Sequence, residues 1–200
     1  MQENEISEKL EKFSKQVLRG EPIPHDLEKM LLMQWTRVEQ EGLYVDPLQA
    51  LQTRLIEPGG TYPLLDHSYL NDKDRANPAT MANVKAMSAV IAMCSFVGED
   101  DESRLYGYWH GPKKTPASEA PILLLNSEGQ FDLCSGRNLA EALLAAWAFD
   151  EETFVQRKDW FAKYGVNIVA TSLNDLPTPH SDTLPQELHQ KLYREFKAVP

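Results

Sequence analysis

The chain has 200 residues, enough for one domain with a sizeable core. Hydrophobic residues make up 42% and charged residues 25%, a balance unlike that of a disordered chain, and no stretch approaches the ~20 apolar residues that span a bilayer. The formal net charge of −10 argues against nucleic acid as a ligand, because phosphate binding needs clustered cations.

Ile6, Leu10, Phe13 and Val17 recur at helical spacing before Gly20 and predict a first helix. The polar start MQENEISEKLEKF lacks the apolar core of a signal peptide, and the expected location is the cytoplasm. A second helix begins at Asp26, carries Leu27, Met30, Leu31, Trp35 and Val38 on one face, and ends before Gly42. The stretch DPLQALQTRLI predicts a shorter helix with Asp46 as N-cap and Pro47 at the first helical position. Residues 1–56 thus read as a helical N-terminal part. Over residues 57–86 prolines and paired glycines break every period, and a long connection is expected.

Four strand-like segments follow within residues 87–136: Met87 to Gly98, Ser103 to His110, Ala120 to Ser127 and Gly129 to Gly136. The acidic tetrad Glu99-Asp100-Asp101-Glu102 reads as an exposed hairpin tip, and Asn126 to Gly129 as a second turn. Strands joined this closely form an antiparallel meander. In residues 138–200, Asn138 is an N-cap and Glu141 completes a capping-box-like pattern. Leu139, Leu143, Ala146 and Trp147 share a face of that helix. The next helix is capped by Asp150 and stopped by Gly165. A possible fifth strand, VNIVATSL, precedes a final amphipathic helix with Leu188, Leu192 and Phe196. The prediction is one α+β domain over residues 1–200: a mostly antiparallel sheet of four to six strands packed by N-terminal and C-terminal helices.

The central stretch LYGYWHGP…SEAPILLLNSEGQFDLCSGRNLAEALLA resembles the SUKH superfamily of bacterial immunity proteins and yeast cell-wall-synthesis regulators. In that pattern an acidic turn leads into a strand ending in an aromatic pair or Trp. A strand of the form PIv.L..EG, a short strand and a helix written NLaEfL follow. The matching positions are Tyr106 to Trp109, Pro121 to Leu125, Glu128-Gly129 and Asn138 to Leu144. Upstream, Gly59-Gly60 follow Pro58 where the family often has asparagine. The resemblance implies an α+β fold without catalytic activity. It also implies a protein partner, since the bacterial members mostly bind and neutralise a cognate toxin, frequently a nuclease or another intracellular enzyme. A regulatory or scaffolding protein of the same fold is the alternative.

The partner-binding candidates follow from alternation and charge. On a strand, Tyr106, Tyr108 and His110 face one side and Leu105, Gly107 and Trp109 the other. Tyrosine and tryptophan anchor interfaces, so Tyr106, Tyr108, Trp109 and His110 are candidates if the stripe lies open; a covering helix would make it core. Glu99, Asp100, Asp101, Glu102, Glu119 and Glu128 would complement a basic toxin, such as a basic nuclease. Catalysis has thinner support. The histidines at 25, 67, 110, 180 and 189 show no metal-ligand spacing, no glycine-rich phosphate loop is present, and no cofactor is expected. A hydrolase would have to assemble Asp66, His67 and either Cys94 or Cys134. Cys94 sits in an apolar run where burial makes a thiol inert. The two cysteines read as a reduced, buried pair, with a disulfide requiring adjacent strands and an oxidising compartment.

Overall fold

A computed structural model describes residues 3–38, 41 and 43–198. Three helices come first, α1 (Glu3–Gln16), α2 (His25–Thr36) and the single turn α3 (Pro47–Ala50), followed by strand β1 (Thr53–Leu55). Two short turns, α4 (Pro63–Asp66) and α5 (Asp72–Arg75), lead into α6 (Pro78–Ile91). The strands β2 (Cys94–Asp100), β3 (Leu105–Trp109), β4 (Ile122–Leu125) and β5 (Phe131–Leu133) then run consecutively. Helices α7 (Leu139–Trp147), α8 (Glu151–Lys163) and α9 (Pro185–Ala198) complete the chain. The fold is α+β, as predicted. Among the described residues five strands pair antiparallel in sequence order, β1-β2-β3-β4-β5.

Local chemistry sets most boundaries. Asp46, Asn138 and Asp150 each accept a backbone N–H three residues on, from Gln49, Glu141 and Thr153, satisfying donors that a helix start leaves orphaned. Asn77 does the same for Ala79 and Thr80 ahead of Pro78, and this cap begins α6 inside the segment predicted to be a connection. Helix α6 therefore takes Met87 to Ile91, and the first long strand starts only at Cys94. A continuous apolar run carries no period, so helix and strand look alike within it. Two further elements differ from prediction. The helix expected after Asp46 is one turn long, because Gln52 adopts a left-handed φ of 50° and the chain then enters β1. Residues 166–173 form no strand. Helix α2 stops at Thr36, leaving Val38 exposed, and Gly42 lies outside the described residues.

The sheet is buried on both faces. On one side Tyr106, Tyr108 and Ile122 pack with Phe13 of α1, Leu27 and Leu31 of α2, and Leu143 and Phe154 from α7 and α8. On the other, Leu105, Trp109, Leu123 and Phe131 pack with Met87 and Val90 of α6, and Leu188 and Leu192 of α9 close over them. Full burial of each such side chain stabilises by roughly 1.5–3 kcal/mol. Gly107 lies opposite a bulge at Phe96/Gly98, and a Cβ there would sit 2.6 Å from the Ser95 carbonyl oxygen, so no larger residue fits. Both outer strands are met by glutamine side chains. Gln34 Oε1 accepts the Leu55 N–H at 2.7 Å while its Nε2 donates to the Leu55 carbonyl at 3.1 Å. Gln186 Oε1 accepts the Phe131 N–H at 3.0 Å.

Candidate functional site

The predicted binding stripe is core. Tyr106, Tyr108, Trp109 and His110 are exposed by only 0%, 2%, 1% and 6%, so the open-stripe expectation is corrected. The alternation along β3 holds, and helices cover both sides. Tyr106 Oη donates to Asp100 Oδ2 at 3.0 Å. Its phenol is pushed well above the usual value, first by burial and then by the Asp100 charge. The Tyr108 hydroxyl is buried without a protein partner. Trp109 Nε1 donates to the Thr183 carbonyl at 3.0 Å and to Ser181 Oγ at 3.2 Å, and Lys113 pairs with Asp182 beside them. His110 uses both ring nitrogens, Nδ1 on the Thr115 carbonyl at 2.7 Å and Nε2 on Ser95 Oγ at 2.9 Å. A carbonyl can only accept, so Nδ1 carries a proton. His110 staples the 110–121 connection to the sheet, and Trp109 the 177–184 segment.

The predicted acidic group divides. Glu99 and Asp100 belong to β2 and are buried, rather than standing on an exposed tip. The reason is local. Asp100 Oδ1 accepts the N–H groups of Glu102 and Arg104, and Oδ2 accepts Arg104 Nε at 2.7 Å, so this carboxylate closes the β2–β3 turn. Glu99 Oε2 takes two bonds from the mostly exposed Arg54, at 2.6 and 3.1 Å. Asp101 and Glu102 are exposed in the turn, and Glu128 is exposed in the β4–β5 turn. Because Leu105 pairs with Leu125, those two turns lie at the same end of the sheet. Glu119, also exposed, lies in the β3–β4 connection at the opposite end.

The structure does not join the residues that a hydrolase would have to assemble. His67 Nε2 pairs with Ser88 Oγ at 2.7 Å, and Asp66 Oδ1 accepts the Ser68 N–H. Cys94 Sγ donates to the Val90 carbonyl at 3.2 Å. Both cysteines are free thiols. Burial raises each thiol, that of Cys94 far above its usual value and that of Cys134 up to about 12, which keeps both protonated and poorly nucleophilic at neutral pH. Among the described residues no group of three or more His, Cys, Asp or Glu side chains is placed to hold a metal ion, and no helix is long and apolar enough to cross a membrane.

Two features go beyond the sequence reading. The first is the role of Glu141, which is fully buried and, contrary to the capping-box expectation, bonds elsewhere. Its Oε1 accepts the N–H groups of Val169 and Ala170 at 3.1 and 3.0 Å, and its Oε2 that of Arg137 at 2.8 Å. It thereby ties residues 169–170 to the start of α7, in place of the predicted strand. Gly136, at φ 120°, allows this approach: a Cβ there would lie 2.8 Å from Glu141 Cβ. The only sequence signal is a lone charge in an otherwise apolar helix. The second is a cavity of about 420 Å³ at the turn end of the sheet, where the α4 region, α6 and both hairpin turns converge. Four segments distant in sequence build it, and no periodicity could have revealed it.

No protein-family model, no curated protein and no solved structure matches this chain.

Proposed function

We propose that the chain is an immunity protein, a non-catalytic binder that neutralises a basic toxin by occluding it. The observation that carries this reading is the acidic end of the sheet. Asp101 and Glu102 project from one hairpin turn and Glu128 from its neighbour, on a chain of net charge −10. The cations nearby, Arg54 and Arg104, are already paired with Glu99, Asp100 and Glu102. A surface of this kind accelerates encounter with a cationic protein and disfavours anionic ones. The order of strands and capped helix that resembles the SUKH superfamily supports the same reading.

Co-expression tests it. Cells producing a toxin encoded beside this gene should survive when the chain is present. Protection should fall when Asp101→Lys and Glu128→Lys are combined, with circular dichroism unchanged. Equal protection by the charge-reversed variant, or failure to neutralise any neighbouring toxin, would overturn the reading. Capture of housekeeping proteins alone from the native host would favour a regulatory role for the same fold.

A further inference from the structure

The cavity at the turn end combines an apolar lining with unspent negative charge. Leu64, Met87 and Leu105 supply aliphatic surface, and Tyr62 and Tyr69 supply rings. Glu99 and Glu128 also line it, and among its described lining residues none is cationic. Glu99 is only 8% exposed, and both bonds from Arg54 fall on Oε2. Among the described residues its Oε1 accepts no hydrogen bond and the Glu128 carboxylate has no partner. A carboxylate with a spare acceptor oxygen beside tyrosine rings suits a planar cation on an aliphatic stem. An anion would meet the charge of Glu128, which no cation balances, and a wholly apolar ligand would leave that carboxylate desolvated without recompense.

We propose that this cavity receives an arginine side chain of the basic partner, its guanidinium bonded to Glu99 and Glu128 and its methylenes against Leu64, Met87 and Leu105. The assignment rests on the immunity reading for the partner's identity and on the cavity alone for the chemistry. Arginine fits better than lysine because a planar fork can bond carboxylates while stacking on a tyrosine ring. The volume lies within the range of about 300–1,000 Å³ usual for specific ligand sites, so a guanidinium enters with room for bridging water.

The test is a nuclear magnetic resonance titration of the full chain with the blocked tripeptide acetyl-Gly-Arg-Gly-amide, against the same peptide carrying neutral citrulline. The arginine peptide should shift the amides of Glu99, Ser103, Leu105 and Ser127 to Gly129, and bind about fivefold more tightly than the citrulline peptide. Glu128→Gln should weaken it about threefold. Asn83 is an exposed α6 residue lining the cavity, so Asn83→Trp should fill the space and abolish the shifts. Should that variant misfold, the citrulline comparison and Glu128→Gln still decide. Equal binding of both peptides, shifts elsewhere on the chain, or no shifts at millimolar peptide would overturn the assignment. Silence toward the peptide from a chain that still protects cells removes the arginine site and leaves the immunity reading. Specific peptide binding by a chain that neutralises no toxin upholds the site and removes that reading.

Discussion

At the β3–β4 end of the sheet, Trp109, His110 and Glu21 all turn their polar atoms on the protein's own chain. Trp109 holds Thr183, His110 holds Thr115 and Ser95, and Glu21 accepts the Ala117 N–H at 2.6 Å. Arg19 adds bonds to the carbonyls of Ala92 and Cys94. At the turn end, Glu99 keeps an oxygen free beside a cavity and Glu128 carries an unpaired carboxylate. Similar residue types thus serve opposite purposes sixteen or so ångströms of strand apart, roughly the length of five residues at ~3.3 Å each. At the first end these polar atoms bind the chain to itself; at the other, one is left over, and something outside the chain can complete it.

The most forceful way to break this contrast is to uproot the segment leading to the self-bonded end. Glu141→Ala leaves the N–H groups of Arg137, Val169 and Ala170 without their acceptor, and should cost about 4 kcal/mol in urea denaturation. Glu141→Gln retains one acceptor and should lose clearly less. Trp109→Phe deletes the link to Ser181 and Thr183 and leaves a gap where the larger indole stood. A loss of about 2 kcal/mol is expected, with faster amide exchange strongest in residues 177–184.

A subtler effect depends on pH. Asp26 accepts the Leu139 N–H at 3.1 Å from a nearly buried position. Burial holds its carboxyl above the usual 3.8, against the pull of the backbone N–H groups of Leu27 in α2 and of Ala140 and Leu139 at the start of α7. The folded state therefore binds this proton more tightly than the unfolded chain. Its contribution is complete below the unfolded value and is lost as pH rises through the folded one. Relative to Asp26→Asn, the wild type should gain stability as pH falls from 7 toward 4, measured by paired urea titrations; parallel curves would contradict the assignment. The smallest stability effect belongs to the turn end. Glu128→Gln should change the unfolding free energy by less than about 0.5 kcal/mol while weakening binding of the arginine peptide, and a substantial loss of stability would erase the contrast between the two ends.

Much of the architecture was legible because it rests on short-range chemistry. The caps at Asp46, Asn138 and Asp150 act within three residues, and the alternation of Leu105 to Trp109 follows from the geometry of any strand. What alternation could not tell was whether both faces would be covered, since that depends on α1, α2, α7 and α8 over Tyr106 and Tyr108 and on α6 and α9 over Leu105 and Trp109, elements far from β3 in sequence. Met87 to Ile91 misled because an unbroken apolar run fits either element, and the deciding cap at Asn77 stood ten residues upstream. Glu141 was recognised as a cap position but not as a long-range anchor, its partners at Val169 and Ala170 being 28 and 29 residues on. The arginine cavity has the same cause in stronger form, because its two carboxylates meet only after three strands have paired.

The glutamines at the two borders of the sheet restrict how any other molecule can engage it. Gln34 occupies both outward groups of Leu55, and Gln186 the outward donor of Phe131. An incoming peptide cannot extend the ladder at those points, so recognition is left to side chains and shape. The same two residues act as chain terminators against self-polymerisation. Replacing Gln34 with leucine would hand Leu55 back an unpaired amide and carbonyl, and light scattering that climbs with protein concentration would be the sign that the sheet had started to grow.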